Sequence, residues 1–243
     1  MIVPAAGLGT RMASPSAAKA KKPRTKQFKE LGGVPILVHT LRKFAGTPQV
    51  YEMIVALRHD EIAGFETQIE KEFPEILNKR FQIVEGGEHR QNSVANALAR
   101  TAADSEDIIL VHDAVRPFVT SEIISNVIEA AHKHGAAIAG WPAVDTVKQV
   151  ERTAEGALIK STIPRASVVM AQTPQGFRYS ILKKAFDSAI ADGFLGTDEA
   201  SLIERAGLPV VVVMGSQRNM KITTPADMEL AEFYLQHQDG KKS

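Results

Sequence analysis

Four stretches of this chain combine glycine, cationic and acidic residues in ways that suit phosphate chemistry. The first is Pro4-Ala5-Ala6-Gly7-Leu8-Gly9-Thr10-Arg11-Met12. Small residues let backbone N–H groups approach an anion closely, and Arg11 adds a fixed positive charge. Taken alone, the same residues also describe a tight strand–helix turn. A dinucleotide fingerprint needs a third glycine where Met12 stands, and the Lys-Ser/Thr pair of a P-loop is absent, so both of those readings are disfavoured. The second stretch is basic: Lys19, Lys21, Lys22, Arg24, Lys26 and Lys29 all precede the first acidic residue, Glu30. Lys19 to Arg24 read equally well as a solvated face. Lys26, close to an element expected to start at Phe28, is placed to clamp a triphosphate together with Arg11.

The third stretch is Gly86-Gly87-Glu88-His89-Arg90-Gln91-Asn92-Ser93. Its paired glycines expose backbone groups that can read a base edge, and Ser93 either caps the following helix or bonds a ligand. His89 has no companion at metal-ligand spacing and reads as a surface residue. The fourth, Leu110 to Phe118, sets Asp113 at the carboxyl end of an apolar strand, where open α/β sheets bind ligands. A hard carboxylate there suits Mg²⁺ bridging phosphate oxygens. The plainer alternative is an Asp113–Arg116 pair fixing a turn. Two later segments, Ile163-Pro164-Arg165 and Asn219 to Pro225 with Lys221, are phosphate-directed as well.

These residues need elements to hold them. Ile2-Val3, Met53–Leu57, Phe81–Val84, Ile108–His112, Ala136–Ala139 and Val210–Met214 read as strands, most of them apolar on both faces as in a parallel sheet covered by helices. Between them, Ile123, Ile124, Val127, Ile128 and Ala131 fall on one helical face, with Thr120 or Ser121 as cap and Gly135 as stop. Ile181, Leu182, Ala185, Phe186, Ala189 and Ile190 repeat that spacing. A last helix starts with Thr224 as cap, Pro225 in its first turn and Asp227 behind. The alternation predicts an α/β fold with a mostly parallel sheet flanked by helices, as a single domain over residues 1–243. One segment, about 142–165, departs from the rhythm and reads as an inserted β-hairpin arm turning at Glu155-Gly156, suited to packing against another subunit.

The bulk numbers exclude several classes. A net charge of +1 argues against a dedicated nucleic-acid binder, and the absence of cysteine removes disulfides and thiolate metal sites. The N-terminus lacks the features of a signal peptide, and the densest apolar run, Val210–Met214, is far too short to span a bilayer. A soluble cytoplasmic protein without membrane contact is expected.

Taken together, PAAGLGTRM, TKQF, GGEHRQNSV, VHDAVRPF, DTVK, AQTPQGF, TDEAS and NMKITTPAD, in this order from Ile2 to Leu235, resemble the 2-C-methyl-D-erythritol 4-phosphate cytidylyltransferase family. The resemblance implies a Rossmann-like nucleotidyltransferase fold, a homodimer held partly by the hairpin, and attack of a polyol phosphate on the α-phosphorus of CTP with loss of pyrophosphate. By position it implies that Arg11 and Lys26 hold the triphosphate, Asp113 holds Mg²⁺, and Pro4, Ala5, Ala6, Gly7, Gly87, Glu88, Ser93 and Ala114 surround the cytosine and ribose. Arg116, Thr146, Arg165, Thr173 and Lys221 match the second-substrate positions, with Arg165 and Lys221 also counted among the catalytic cations. The chain departs from the family pattern in a short lead-in before the first loop, a long stretch from Ala13 to Arg24, Thr25 in place of a common proline, and Glu88 in place of a common aspartate. Two rivals stand beside this reading. A ribitol 5-phosphate enzyme of the same chemistry typically has a second glycine pair in the first loop and a different Thr197–Ser201 segment. A non-catalytic nucleotide binder would lack Arg11, Lys26 or Asp113.

Overall fold

In the computed structural model the described residues are 1–7 and 25–237. Seven strands form one sheet: β1 (Ile2–Pro4), β4 (Glu52–Leu57), β5 (Arg80–Glu85), β6 (Ile108–Val111), β7 (Ala136–Pro142), β10 (Val169–Arg178) and β11 (Val211–Met214). Their order across the sheet is β11-β7-β10-β6-β1-β4-β5, and all run parallel except β10, which pairs antiparallel with β6 and β7. Each strand expected from the sequence is present. The chain moves from β1 out to β5 on one side, then returns to β6 on the other. β1 and β6 therefore flank the point where strand order reverses, and the crevice at their carboxyl ends is where such sheets take ligands.

Helices cover both faces because successive residues of the strands point to opposite sides. Val3 and Val55 face one cluster with α1 (Ile36–Ala45), α2 (His59–Glu72) and α4 (Ser121–His134), through residues such as Leu41, Phe44, Phe65, Ile124 and Val127. Ile2 and Ile54 face the opposite cluster with α3 (Arg90–Leu98), α5 (Tyr179–Ala191) and α6 (Glu199–Arg205), through Val94, Leu98, Phe186 and Ile203. The helix ends follow their chemistry. The Thr120 hydroxyl accepts from the Ile123 N–H at the start of α4, and Gly135 ends it at a φ of 88°, a left-handed conformation open to glycine. Thr224 and Asp227 cap each other's backbone at the start of α7 (Pro225–Gln236). On α5 the expected apolar face holds at Leu182, Ala185, Phe186 and Ala189, but Ile190 is exposed, because it lies in the last turn beyond the edge of the packed surface.

Three further features differ from or sharpen the expected pattern. The element expected at Phe28 is a short 3₁₀ turn over Lys26–Phe28, followed by a small hairpin of β2 (Glu30–Leu31) and β3 (Val34–Pro35). β10 was not expected as a strand: it carries Pro174, and its ladder with β7 shifts register between Ala171 and Gln175, which accommodates a residue lacking an N–H. The segment 142–165 holds an antiparallel hairpin of β8 (Val147–Thr153) and β9 (Gly156–Ile163), which form a separate two-stranded sheet. A third apolar cluster, with Leu31, Ile36, Val115, Phe118, Ile222 and Ala231, ties α7 and the segment before it to the loop after β6. That cluster positions Lys221.

Candidate active site

A cleft opens at the carboxyl ends of β1 and β6, lined by Pro4, Ala5, Ala6 and Gly7 on one side, by Gly87 to Arg90 and Ser93 on another, and by Lys26, Asp113 and Lys221. Backbone and side-chain bonds fix each wall. The Gln27 amide donates to the Ala5 carbonyl at 2.5 Å, which fastens the turn carrying Lys26 to the first loop. Gly86 lies so close to that loop that a Cβ there would collide with the Ala6 methyl and come within 3.0 Å of Ser93 Oγ. Gly87 is equally crowded, since a Cβ there would collide with Asn92.

Ser93 does not cap α3. The helix starts at Arg90, which puts Ser93 inside its first turns, and the Asn92 side chain receives the His89 N–H in the capping position. Ser93 Oγ instead accepts the Gly87 N–H at 3.1 Å and holds the glycine pair against the helix. His89 is exposed at the rim. Glu88 is exposed as well and lines the cleft.

Asp113 is the electrostatic centre. Its side chain is only 8% exposed, and three cations converge on the carboxylate: Lys221 Nζ at 3.0 Å and Arg116 Nε at 3.1 Å from Oδ2, and Arg90 Nε at 3.5 Å from Oδ1. Burial alone would push its pKa up, but Lys221, Arg90 and Arg116 outweigh that and hold the carboxyl well below the usual range. The pairing of Asp113 with Arg116 is therefore real, and it coexists with a cleft-facing role. Arg116 also donates to the Asn219 carbonyl at 2.7 Å, and Thr173 Oγ1 accepts the Asp113 N–H at 3.0 Å. Asn219 in turn donates to the Thr173 carbonyl at 2.8 Å. Arg116 and Thr173, expected at the second substrate, are thus engaged in bracing Asp113 from behind.

Arg90 and Glu199 were not singled out by the sequence. Arg90 Nη1 donates to both oxygens of Glu199, at 2.7 and 2.8 Å, and Glu199 is 1% exposed. Burial raises the Glu199 pKa, an effect that Arg90 opposes. The two residues lie 109 positions apart, and each sits in a motif with other obvious readings, so spacing alone gave no signal.

The remaining expected residues divide. Pro4, Ala5, Ala6, Gly7, Lys26, Gly87, Glu88, Ser93, Asp113, Ala114 and Lys221 all line the cleft. Thr146 and Arg165 do not: both are exposed at the base of the hairpin, where Arg165 donates to the Val144 carbonyl at 2.8 Å. Arg11 and the basic stretch Lys19 to Arg24 lie outside the described residues. Among the described residues no group of three or more His, Asp or Glu is arranged to hold a metal ion.

An open, mostly parallel α/β sheet with a cationic, glycine-walled cleft at its switch point has the architecture of a nucleotide-binding protein. Similarity to known proteins narrows this class. Residues 1–237 match the family model described as IspD, 2-C-methyl-D-erythritol 4-phosphate cytidylyltransferase. The chain is 56% identical over 241 residues to the protein of that name from Acidobacterium capsulatum, covering 99% of this chain and 98% of the relative. It is 49% identical to the one from Solibacter usitatus, covering 100% and 98%. Among solved structures, the Francisella tularensis 2-C-methyl-D-erythritol 4-phosphate cytidylyltransferase superposes with a TM-score of 0.77 at 33% identity, covering 96% of this chain and 97% of that one. The Anaerococcus prevotii 4-diphosphocytidyl-2C-methyl-D-erythritol synthase gives 0.78 at 29% identity, covering 97% and 96%. The chain belongs to the 2-C-methyl-D-erythritol 4-phosphate cytidylyltransferase family.

Proposed function

We propose that this chain, acting as a single nucleotidyltransferase domain, transfers CMP from CTP to 2-C-methyl-D-erythritol 4-phosphate, releasing pyrophosphate and forming 4-diphosphocytidyl-2-C-methyl-D-erythritol for isoprenoid precursor synthesis. The observation that carries this reading is Asp113, buried at the mouth of β6 with Lys221, Arg116 and Arg90 around it, beside a wall of small residues. Nucleotidyl transfer needs alignment and charge neutralisation more than covalent help. The attacking phosphate is already ionised at neutral pH, so no general base is required.

The roles follow from position. Lys26, on a turn fastened to the first loop, and Arg11 neutralise the triphosphate and the charge that grows at the α-phosphate. Pro4, Ala5, Ala6, Gly7, Gly87, Glu88, Ser93 and Ala114 enclose the cytosine and ribose. Lys221, one-third exposed while touching Asp113, orients the incoming phosphate. Arg116 and Thr173 support Asp113, and Thr146 and Arg165 reach the second substrate of a partner subunit across a homodimer built on the hairpin. The apolar residues Val150, Leu158 and Ile159 stand exposed on that hairpin, as an interface requires.

The carboxylate of Asp113 fits a divalent cation of the Mg²⁺ type. Among the described residues its Oδ1 meets Arg90 at 3.5 Å, and a protein carboxylate with no acidic or histidine companions suits an ion that takes its other ligands from phosphates and water. When bound, Mg²⁺ supplies charge neutralisation to the phosphate oxygens. The reaction is one on small phosphorylated substrates, and we place it in the cytoplasm. No helix among the described residues is long and apolar enough to cross a membrane.

The test is pyrophosphate release from CTP and Mg²⁺, with methylerythritol phosphate and ribitol 5-phosphate offered separately. Release with the former alone is expected, and Lys26→Ala and Asp113→Ala abolish it while the protein stays folded. Release with ribitol 5-phosphate alone would overturn the substrate, and unchanged turnover in both variants would overturn the site.

A further inference from the structure

The Arg90–Glu199 pair has no part in the transfer as derived above, yet it sits in the wall of the cleft. Arg90 is the first residue of α3 and lines the cavity. Glu199 is the first residue of α6, on a segment anchored from the sheet and not from the cleft. Asp198 accepts the Ser201 N–H at 3.0 Å and the Gln175 amide at 2.8 Å, while Gln175 accepts the Ala200 N–H at 3.1 Å. Gln175 pairs in register with Val111, two residues before Asp113. A second tie runs beside the first: Gln91 accepts the Gly196 N–H at 2.8 Å and donates to the Phe194 carbonyl at 3.0 Å. The start of α6 is therefore held rigidly against both α3 and the strand that carries the site.

We propose that Glu199 is a positioning residue that pins Arg90 to the cleft wall, so that Arg90 braces Asp113 and is kept from binding the nucleotide phosphates. Glu199 takes both of its bonds from one guanidinium nitrogen, Nη1, and leaves Nε pointing at Asp113 Oδ1 from 3.5 Å. A guanidinium released at the mouth of an anion-binding cleft would grip a triphosphate strongly, since its planar donors match phosphate oxygens. Such a grip would be made equally in the ground state and would misplace the α-phosphate. Binding would tighten while turnover slowed, because only interactions gained in the transition state accelerate the reaction. The buried carboxylate of Glu199 also offsets the charge of Arg90. This inference rests on reading the cleft as a CTP site.

Two variants test it, with the full chain and CTP in the absence of divalent metal. Glu199→Gln keeps the shape and removes the charge. It should bind metal-free CTP about tenfold more tightly at low salt, as one uncompensated charge facing a polyanion predicts. That gain should fade as salt is raised, and in the loaded enzyme KM for CTP and kcat should fall together. A purely structural role would weaken binding and leave no such split. The double variant R90Q/E199Q removes both charges, which a folded protein tolerates far better than a single orphan. It should bind metal-free CTP as the wild type does, with kcat reduced because Asp113 has lost a brace. A folded Glu199→Gln that binds CTP no more tightly than wild type would overturn the proposal. So would a large loss of CTP affinity in the double variant, which would make Arg90 a direct nucleotide ligand. Should Glu199→Gln not fold, the double variant decides alone. A wild type with no CTP affinity would remove the nucleotide reading itself, and is distinguishable from either result.

Discussion

His112 should make this protein acid-sensitive well above the range where carboxylates titrate. The ring is fully buried at the end of β6, with Nε2 3.1 Å from the Arg116 carbonyl and its centroid 4.8 Å from that of Phe44. Nδ1 is buried without a partner among the described residues. Burial pulls the pKa from 6.5 down to about 4, although the bond to Arg116 favours the charged form. The folded value lies below the unfolded one, so the unfolded chain takes up the proton first. Stability from the neutral ring is complete above pH 6.5 and is lost as pH falls towards 4. At ~1.4 kcal/mol per unit, the full loss is about 3 kcal/mol, of which about 2 kcal/mol is gone by about pH 5. For a chain of this length that lowers Tm by about 4–8 °C between about pH 7.5 and 5. Asp113 adds nothing in this window, since its depressed pKa contributes stability that is lost only as pH drops below 3.8. The assay is calorimetric Tm across that range for wild type and for His112→Gln, which retains an amide donor without a titrating ring. The variant should start lower and decline less. Two curves falling in parallel would refute the reasoning.

Two further outcomes are expected. Gly86→Ala should weaken CTP binding about tenfold or more in a calorimetric titration, because the added methyl would strike Ala6 and crowd Ser93, and relieving such overpacking costs ~1–3 kcal/mol. Leu158→Glu with Ile159→Glu should shift the protein towards monomer in light scattering and cut turnover, as like charges replace two side chains that are 61% and 65% exposed in the single chain.

The central parallel strands β1, β4, β6 and β7 were legible because they are covered on both faces, and short runs of Ile, Val, Leu and Ala bounded by turn residues fit few places besides the middle of such a sheet. β10 was not legible for the opposite reason. Gln172, Thr173, Pro174 and Gln175 stand in its middle, and polar groups at those positions become tolerable only once Ser216, Asn219, Asp198 and the Asp113 N–H are folded against them. Each of those partners comes from another part of the chain, so no local pattern announces the strand. The hairpin was visible from its turn at Glu155-Gly156 and from its break with the rhythm of the chain, and it forms a sheet of its own.

The same distinction separates the parts of the site. Residues proposed to meet a ligand through backbone or a single charge, such as Gly87, Lys26 and Asp113, announce themselves by type and by position near a strand end or loop, and all three line the cleft. Residues that work through other residues do not. Arg116 and Thr173, matched by position to the second substrate, are tied to Asp113: Arg116 donates to its carboxylate and to the Asn219 carbonyl, and the Thr173 hydroxyl accepts the Asp113 N–H. One carboxylate shared by three cations is held in place more firmly when some of those cations are themselves tied elsewhere. Asn219 does this for Arg116 and Glu199 does it for Arg90. Lys221 meets Asp113 through a single flexible ammonium, and its side chain is 34% exposed against 28% for Arg90 and 11% for Arg116. It is therefore the cation of the three best able to leave Asp113 for an arriving phosphate, while the other two keep the carboxylate in place.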